Sequence, residues 1–266
     1  MKSSEIELAV FSKPWPQLSA AALGQLVRGL GFDSLELPVR PGFQVEPEKV
    51  STDLPKVAKV LRDEGIGICS IAGPVTEETF AACAEVGIPI IRVMYRVGEE
   101  GYMASETAVK RELDGLLSFC EKYGVRIGVQ NHCKFFVPPH SMGLRHLLED
   151  YDPCHIAAIW DAAHTALDGE EPEMGLDIVW PHLCMVNLKN GYWRRTTGPE
   201  AADVEWAVYW TSGRQGLASW PRTIKYLKER NYSGVVCLTA EYSATQDVDR
   251  LIKEDIAYAK ILFATT

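Results

Sequence analysis

Three ionisable side chains stand where apolar runs of the chain end: Asp161 after IAAIW, Lys189 after CMVNL and Glu241 after VVCLTA. A carboxylate can accept a proton from carbon, and an ammonium group can donate a proton or polarise a carbonyl. Carboxylates can also hold a divalent cation. The three residues therefore predict a polar site that handles a proton, a metal ion or both.

Further polar residues lie at the ends of the same kind of run. Gln130 and His132 end the run that begins at residue 126, and His164 lies in the segment WDAAH. Asn187 precedes Lys189 by two positions. Because alternate residues share one side of a strand, these polar groups lie above small or apolar residues on the same side. Such a pattern is typical of a filled barrel interior that is capped by a polar site.

One repeated pattern positions these residues. An amphipathic helical stretch ends near a glycine, and a short β-rich apolar run follows, around Gly31, Gly65, Gly87 and Gly124. Glycine suits the left-handed residue that closes a helix, so each of them marks a helix-to-strand junction. The predicted strands are residues 5–11, 34–39, 67–72, 90–95, 126–132, 156–163, 183–189 and 234–241.

The alternation of helices and strands predicts the fold class. It indicates a parallel sheet, and eight strands favour a closed barrel over an open sheet. No glycine-rich dinucleotide fingerprint follows the first strand, which disfavours a doubly wound fold. We therefore expect an α/β protein with a single (β/α)₈ TIM barrel, forming one domain over residues 1–266. In such barrels the functional groups lie at the C-terminal ends of the strands.

The composition is that of an ordinary globular protein and excludes some functions. The chain has 266 residues, of which 47% are hydrophobic, and a formal net charge of −9. This charge argues against binding to nucleic acid or to an anionic membrane surface. Seven dispersed cysteines without a CxxC pair predict reduced thiols, and no apolar run reaches membrane-spanning length. We expect a cytoplasmic protein; whether it forms a homo-oligomer stays open.

Several motifs resemble a known family in order and spacing. They are FDSLEL, QNH, WDAAH, NLKN, GRQGLASWPRTIKYLKERNYSG and CLTAEY, and they span essentially the whole chain. The chain resembles the xylose isomerase-like barrel superfamily, which includes sugar-phosphate isomerases and epimerases as well as relatives of endonuclease IV. The resemblance implies a small carbohydrate-like substrate and a divalent metal, Mn²⁺ or Mg²⁺, held by Glu, Asp, His and Glu. The matching positions are Gln130, Asp161, Asn187 and Glu241.

Two of these four positions depart from the family pattern, because amides replace one glutamate and the histidine. Gln130 cannot take a proton, so an epimerisation that uses two glutamates is blocked. The loss of one anionic and one imidazole ligand also weakens the case for a metal. We expect Glu241 to be the general base, with Lys189 or His164 as the acid or as the group that polarises a carbonyl. This set fits one-base isomerisation or β-elimination of a keto-sugar or a related polyol.

The remaining candidates are substrate-binding residues. They are His132, Glu36, Arg194 and Trp193, of which the last two lie in the long connection 190–218. A connection of this length is usually functional or disordered. The alternative function is a non-catalytic or metal-free barrel that serves as a ligand-binding or hetero-oligomer subunit, since two amides also fit a dead metal site. The DNA-repair branch, which uses three zinc ions, is disfavoured by the acidic charge and by only six histidines.

Overall fold

A computed structural model describes residues 6–265 of the chain. In chain order its strands are β1 (Ile6–Phe11), β2 (Ser34–Pro38), β3 (Gly67–Ala72), β4 (Ile90–Val93), β5 (Tyr95–Arg96), β6 (Arg126–Gln130), β7 (Phe136–Val137), β8 (Ile156–Asp161), β9 (Leu183–Leu188), β10 (Asn190–Arg195), β11 (Trp206–Thr211) and β12 (Gly234–Leu238). Eight of them close into a parallel barrel in the spatial order β1-β12-β9-β8-β6-β4-β3-β2. The predicted single (β/α)₈ barrel is confirmed.

Helices fill the connections and surround the barrel. They are α1 (Ala20–Leu30), α2 (Val50–Asp63), α3 (Glu77–Val86), α4 (Tyr102–Tyr123), α5 (Ser141–Leu148), α6 (Ala162–Leu167), α7 (Pro172–Val179), α8 (Trp220–Glu229) and α9 (Val248–Ala264). Gly31, Gly87 and Gly124 close α1, α3 and α4 with φ angles of 92°, 78° and 64°. Other residues are strained at such angles, so glycine ends these helices where the sequence predicts. Within residues 6–265, no helix has both the length and the apolar character that a membrane crossing requires.

Alternating side chains divide the apolar residues into two packed regions. Ile159, Met185 and Cys237 belong to a cluster inside the barrel, whereas Trp160 packs with the helix layer, as the alternation predicts. Gly128 in β6 makes room inside the barrel, since a Cβ atom there would overlap the side chain of Ile159. The interior is therefore filled by side chains, and a ligand can only reach it from an end.

Two small antiparallel sheets extend from the C-terminal end of the barrel. β10 continues directly from β9 and pairs with β11, from Asn190 opposite Thr211 to Arg195 opposite Trp206. β5 continues from β4 and pairs with β7. The long connection 190–218 is thus built around a β-hairpin.

Candidate active site

The C-terminal ends of the barrel strands enclose a cavity of about 380 Å³. This volume lies within the range of small-molecule sites. Six residues predicted from the sequence line it together, namely Gln130, His132, His164, Asn187, Lys189 and Glu241. The structure therefore brings together groups from four different strand ends and from the loops that follow them, as the barrel rule requires.

Glu241 lies at one side of the cavity between two ammonium groups. Strand β12 ends at Leu238, and Ala240, with φ of 52°, turns the chain before Glu241. Lys189 donates to Glu241 Oε2 at 2.7 Å, and Lys13 pairs with Oε1. Burial alone raises the pKa of Glu241, but the charges of Lys189 and Lys13 outweigh it and lower the pKa to about 2. Glu241 is therefore a carboxylate in neutral solution, and we call it with its two lysines the Glu241 triad.

The Lys189 ammonium group is held from a second direction by an aromatic ring. Its Nζ atom lies 3.8 Å from the centre of the Trp210 ring. The negative face of an aromatic ring attracts a cation, so Trp210 fixes Lys189 without neutralising it. Lys189 thus keeps donors for a ligand in the cavity while it bonds to Glu241. Lys189 therefore forms a structural ion pair with Glu241 and can also bind a ligand.

A second chain of polar contacts crosses the floor of the cavity. Arg92 donates from Nε to Glu36 Oε1 and from Nη1 to Gln130 Oε1, both at 2.6 Å. Gln130 Nε2 then donates to Asp161 Oδ2 at 2.9 Å. Burial disfavours the charge of Arg92, yet the contact with Glu36 raises its pKa above the ordinary value. We call these four residues the buried polar chain.

Asp161 anchors this chain at the start of a helix. Its other oxygen, Oδ1, accepts from the backbone N–H groups of Ala163 and His164 at 3.0 and 3.1 Å, which caps α6. Burial raises the pKa of Asp161 to about 6, against the opposing charge of Lys189. Asp161 in the segment WDAAH therefore has a structural role as the cap of α6, besides any chemistry at the cavity.

Two histidines and a cysteine form a third group beside the cavity. The rings of His132 and His164 are 3.7 Å apart between centres, and His164 Nδ1 lies 3.2 Å from Cys133 Sγ. The ligand atoms of these three residues lie within 4.8 Å of one another. Burial lowers the pKa of His132 to about 4 and that of His164 well below its ordinary value, and burial raises that of Cys133 to about 11. The group is therefore two neutral imidazoles beside a protonated thiol, which packs without charge.

Three of the four positions that match the family's metal ligands already accept hydrogen bonds from other donors. Arg92 occupies Gln130 Oε1, and the two lysines occupy both oxygens of Glu241. Both oxygens of Asp161 also accept hydrogen bonds. A divalent cation would have to displace these contacts and to lie beside a guanidinium and an ammonium group, which repel it. The residues present therefore do not fit a divalent metal bound in the family's four-residue manner.

Asn187 is the exception among these four positions. Its Oδ1 atom is buried, and no hydrogen-bond donor within residues 6–265 reaches it. A buried acceptor without a donor is costly unless a ligand or water supplies one. Asn187 thus offers a hydrogen-bond acceptor in the cavity wall.

Glu36 lies behind the cavity rather than in its wall. It is fully buried, and Ser70 Oγ donates to the same oxygen as Arg92, at 3.1 Å. Glu36 therefore neutralises and orients Arg92, and it does not touch a ligand directly.

Trp193 and Arg194, predicted to bind substrate, do not line the cavity. The Trp193 indole donates to the carbonyl of Leu167 at 3.0 Å, and the Arg194 guanidinium stacks on the ring of Tyr209 at 4.7 Å. Of the hairpin residues 190–211, Trp210 lines the cavity, and it pairs with Gly191 near the base of the hairpin. The connection 190–218 therefore reaches the cavity through Trp210, and the assignment of Trp193 and Arg194 to substrate binding stays a prediction.

Sequence reasoning missed three cationic side chains that line the cavity: Lys13, Arg40 and Arg92. Two signals could have found them. Arg92 interrupts the apolar run IIRV, and a charge inside a barrel strand needs a partner. Lys13 follows strand β1 by two residues, where the rule on C-terminal strand ends applies.

Comparison with protein families identifies the class of barrel. The family described as "Xylose isomerase-like TIM barrel" matches residues 25–262. The chain belongs to this family, and the resemblance of its motifs is thereby confirmed. A comparison with curated protein sequences returns no match.

Solved structures with the same fold include a 3-keto-D-glucoside 4-epimerase from E. coli, with TM-score 0.74 and 12% identity over 97% of this chain and 100% of that one. A D-psicose 3-epimerase from Clostridium cellulolyticum H10, solved with D-tagatose, has TM-score 0.72 and 10% identity over 97% and 100%. A xylose isomerase-like TIM barrel protein from Mycobacterium smegmatis, solved in complex with magnesium, has TM-score 0.69 and 16% identity over 97% of each chain. At these identities the likeness shows the fold alone.

Proposed function

We propose that this chain is an isomerase- or epimerase-like enzyme that moves a proton on a carbohydrate, at a carbon beside a carbonyl group. The observation that carries the proposal is the Glu241 triad, in which a carboxylate and the Lys189 ammonium group lie 2.7 Å apart inside one cavity. A base and a fixed cation at this spacing suit removal of a proton next to a carbonyl. The sugar epimerases with the same fold support a carbohydrate as the substrate.

In the proposed step, Glu241 accepts the proton from carbon. The electron pair of the C–H bond moves into the neighbouring carbonyl, which becomes an enediolate. Lys189 donates a hydrogen bond to the oxygen where the negative charge develops. Lys189 gives a proton to the former carbonyl oxygen and takes the hydroxyl proton from the oxygen on the deprotonated carbon, so that the carbonyl group changes place. Glu241 then returns its proton to the former carbonyl carbon, which completes a one-base isomerisation without an external oxidant or reductant.

Lys13 is the group that a substrate displaces from Glu241. Its side chain is 44% exposed, whereas that of Lys189 is 7% exposed. An exposed ion pair contributes little free energy, so a ligand can replace it at small cost. The substrate then reaches Glu241 Oε1 while Lys189 stays in place. A hydroxyl group of the sugar donates a hydrogen bond to Asn187 Oδ1, which satisfies this unpaired acceptor.

The positive charge at this site comes from the protein. Arg92 and Lys189 stand beside the positions that match the family's metal ligands, and both are nearly buried. Fixed cations in a site shielded from water stabilise a developing oxyanion without reorganisation. We therefore propose proton transfer without a divalent metal, in contrast to what the family resemblance implies.

Hydrogen exchange tests the proposed reaction. Purified protein in D₂O is incubated with a panel of keto- and aldo-sugars and their acids and phosphates, and ¹H NMR follows loss of the C–H signal beside the carbonyl. We expect exchange with at least one sugar. Glu241→Gln keeps the shape of the residue but cannot accept the proton, so exchange is expected to fall by about 10²–10⁴-fold.

The matched control is Glu121→Gln, an exposed carboxylate near the end of α4 that does not line the cavity. We expect it to exchange at the wild-type rate. Exchange by Glu241→Gln at the wild-type rate would remove Glu241 from the role of base, and an absence of exchange across the whole panel would contradict an enzymatic function.

A second candidate is a barrel that binds a ligand without turnover. It is favoured by one observation, namely that every oxygen of Glu241, Asp161 and Gln130 already has a donor. A site that is satisfied in this way is stable without any substrate. Ligand binding measured by calorimetry without exchange in D₂O would support this candidate over the first.

A further inference from the structure

The cavity carries an excess of positive charge that the mechanism does not use. Among residues 6–265, Glu241 is the one carboxylate that lines the cavity. Five cationic side chains of the same range line it, namely Lys13, Arg40, Arg92, Arg96 and Lys189. Counting the buried carboxylates of Glu36 and Asp161 as well leaves five positive charges against three negative ones. The whole chain has a formal net charge of −9. The excess is therefore a local property of this cavity and opposite in sign to the protein.

Two of the five cations have no anionic partner. Within residues 6–265, neither Arg40 nor Arg96 forms an ion pair or donates a side-chain hydrogen bond to a protein group. By contrast, Arg92 bonds to Glu36, and both lysines bond to Glu241. Guanidinium groups in a cavity wall without a carboxylate beside them are free to bind an anionic oxygen.

Aromatic rings hold these guanidinium groups in place. Arg40 lies 5.8 Å and Arg92 4.6 Å from the centre of the Phe11 ring, and Arg96 lies 4.6 Å from that of Phe136. A ring attracts a cation but does not neutralise it. Burial and the nearby charge of Arg92 both lower the pKa of Arg40, as expected where two like charges are held close together. The arginines are thus arranged before any anion binds.

We propose that the substrate of this site is anionic, a sugar acid or a sugar phosphate, whose carboxylate or phosphate group is bound by Arg40 and Arg96. This inference rests on the proposed function, because it names the substrate class of the same cavity. Planar guanidinium groups match the paired oxygens of a carboxylate or a phosphate. The anionic group bound there leaves Lys189 and Glu241 to the reacting carbons.

Isothermal titration calorimetry with three probes tests this assignment. D-fructose, 2-keto-D-gluconate and D-fructose 6-phosphate share a six-carbon 2-keto chain and differ in carrying no charge, a carboxylate or a phosphate. We expect at least one charged probe to bind about tenfold or more tightly than D-fructose, with an affinity that falls as salt is added. The tighter of the two charged probes distinguishes a sugar acid from a sugar phosphate.

Variants locate the binding groups. Arg40→Gln and Arg96→Gln are each expected to weaken binding of the preferred anion about tenfold, since each removes charge-assisted hydrogen bonds. They should weaken the binding of D-fructose less than that of the anion, because D-fructose has no anionic group. Arg111→Gln serves as the control, because Arg111 is exposed on α4 away from the cavity and should bind all three probes like the wild type.

Equal affinity for all three probes would overturn the proposal, as would unchanged anion binding in both arginine variants. These results are separate from those of the exchange assay. Anion binding that depends on Arg40 and Arg96, without exchange in D₂O, would leave the anion site standing and reject the proposed reaction. Exchange on D-fructose, without tighter binding of either anion, would leave the proposed reaction standing and reject the anion site.

Discussion

Two ion pairs at the C-terminal end of the barrel differ in how deeply they are buried. The side chains of Arg92 and Glu36 are 5% and 1% exposed, whereas those of Lys13 and Glu241 are 44% and 24% exposed. Removing one partner of a buried pair leaves a charge without water or counter-ion, while an exposed pair can change partners at little cost. The buried polar chain therefore fixes the geometry of the site, and the Glu241 triad is where a ligand can enter.

The largest effect is expected from Arg92→Met. It leaves Glu36 buried and unpaired and removes the donor to Gln130, so we expect the free energy of unfolding to fall by about 3–5 kcal/mol. Urea denaturation followed by circular dichroism measures this change. The double variant Glu36→Gln/Arg92→Met should lose less than the sum of the two single variants, because it leaves no lone charge. Additive losses would show that the two residues do not stabilise each other.

The next effect concerns catalysis rather than folding. Lys189→Met removes the cation that faces the developing oxyanion, so we expect the rate of hydrogen exchange to fall by about 10²–10³-fold. Lys189→Arg keeps the charge and should retain more of the rate. If Lys189→Met exchanged as fast as the wild type, Lys189 would be only a structural partner of Glu241.

The difference between the two regions also explains what could be predicted from the sequence. Strand ends, junction glycines and the alternation of Ile159 with Trp160 are local patterns, and they predicted the barrel and six of the fifteen residues that line the cavity. The pairing of Arg92 with Glu36 joins positions 56 residues apart, and that of Lys13 with Glu241 joins positions 228 apart. Only closure of the barrel brings such residues together.

The metal-ligand positions show the same limit. The sequence shows amides at Gln130 and Asn187, but it does not show which groups they bond to. In the structure Gln130 links Arg92 to Asp161, whereas Asn187 has an unpaired acceptor. Two similar substitutions thus have different environments, because β6 lies beside β4, which carries Arg92, whereas β9 lies between β8 and β12. Likewise, the sequence does not show the pairing register of the hairpin. That register places Trp193 and Arg194 outside the cavity lining.

A smaller effect is expected from Lys13→Met. The ion pair that it breaks is partly exposed, so the free energy of unfolding should change by less than about 1 kcal/mol. Since the substrate displaces Lys13 in the proposed step, kcat for exchange should stay within about threefold of the wild type. A loss comparable to that of Lys189→Met would mean that both lysines act in catalysis and that Lys13 stays in place.

The smallest effect is expected from Arg194→Gln. Arg194 is exposed on the hairpin and contacts the ring of Tyr209 rather than the cavity. We expect stability within about 0.5 kcal/mol of the wild type and unchanged binding of the three calorimetry probes. Weakened binding of a charged probe would show that the hairpin closes over the cavity when a ligand is present.

The claim that Arg92 and Lys189 supply the positive charge of this site is tested most directly by the metal dependence of hydrogen exchange. The rate on the preferred sugar is measured by ¹H NMR in D₂O after treatment with a chelator, and again with Mn²⁺ or Mg²⁺ added in excess. We expect the chelated protein to keep its full rate and added metal to leave it unchanged. A rate that disappears with the chelator and returns with Mn²⁺ or Mg²⁺ would contradict the claim and restore the metal centre of the family.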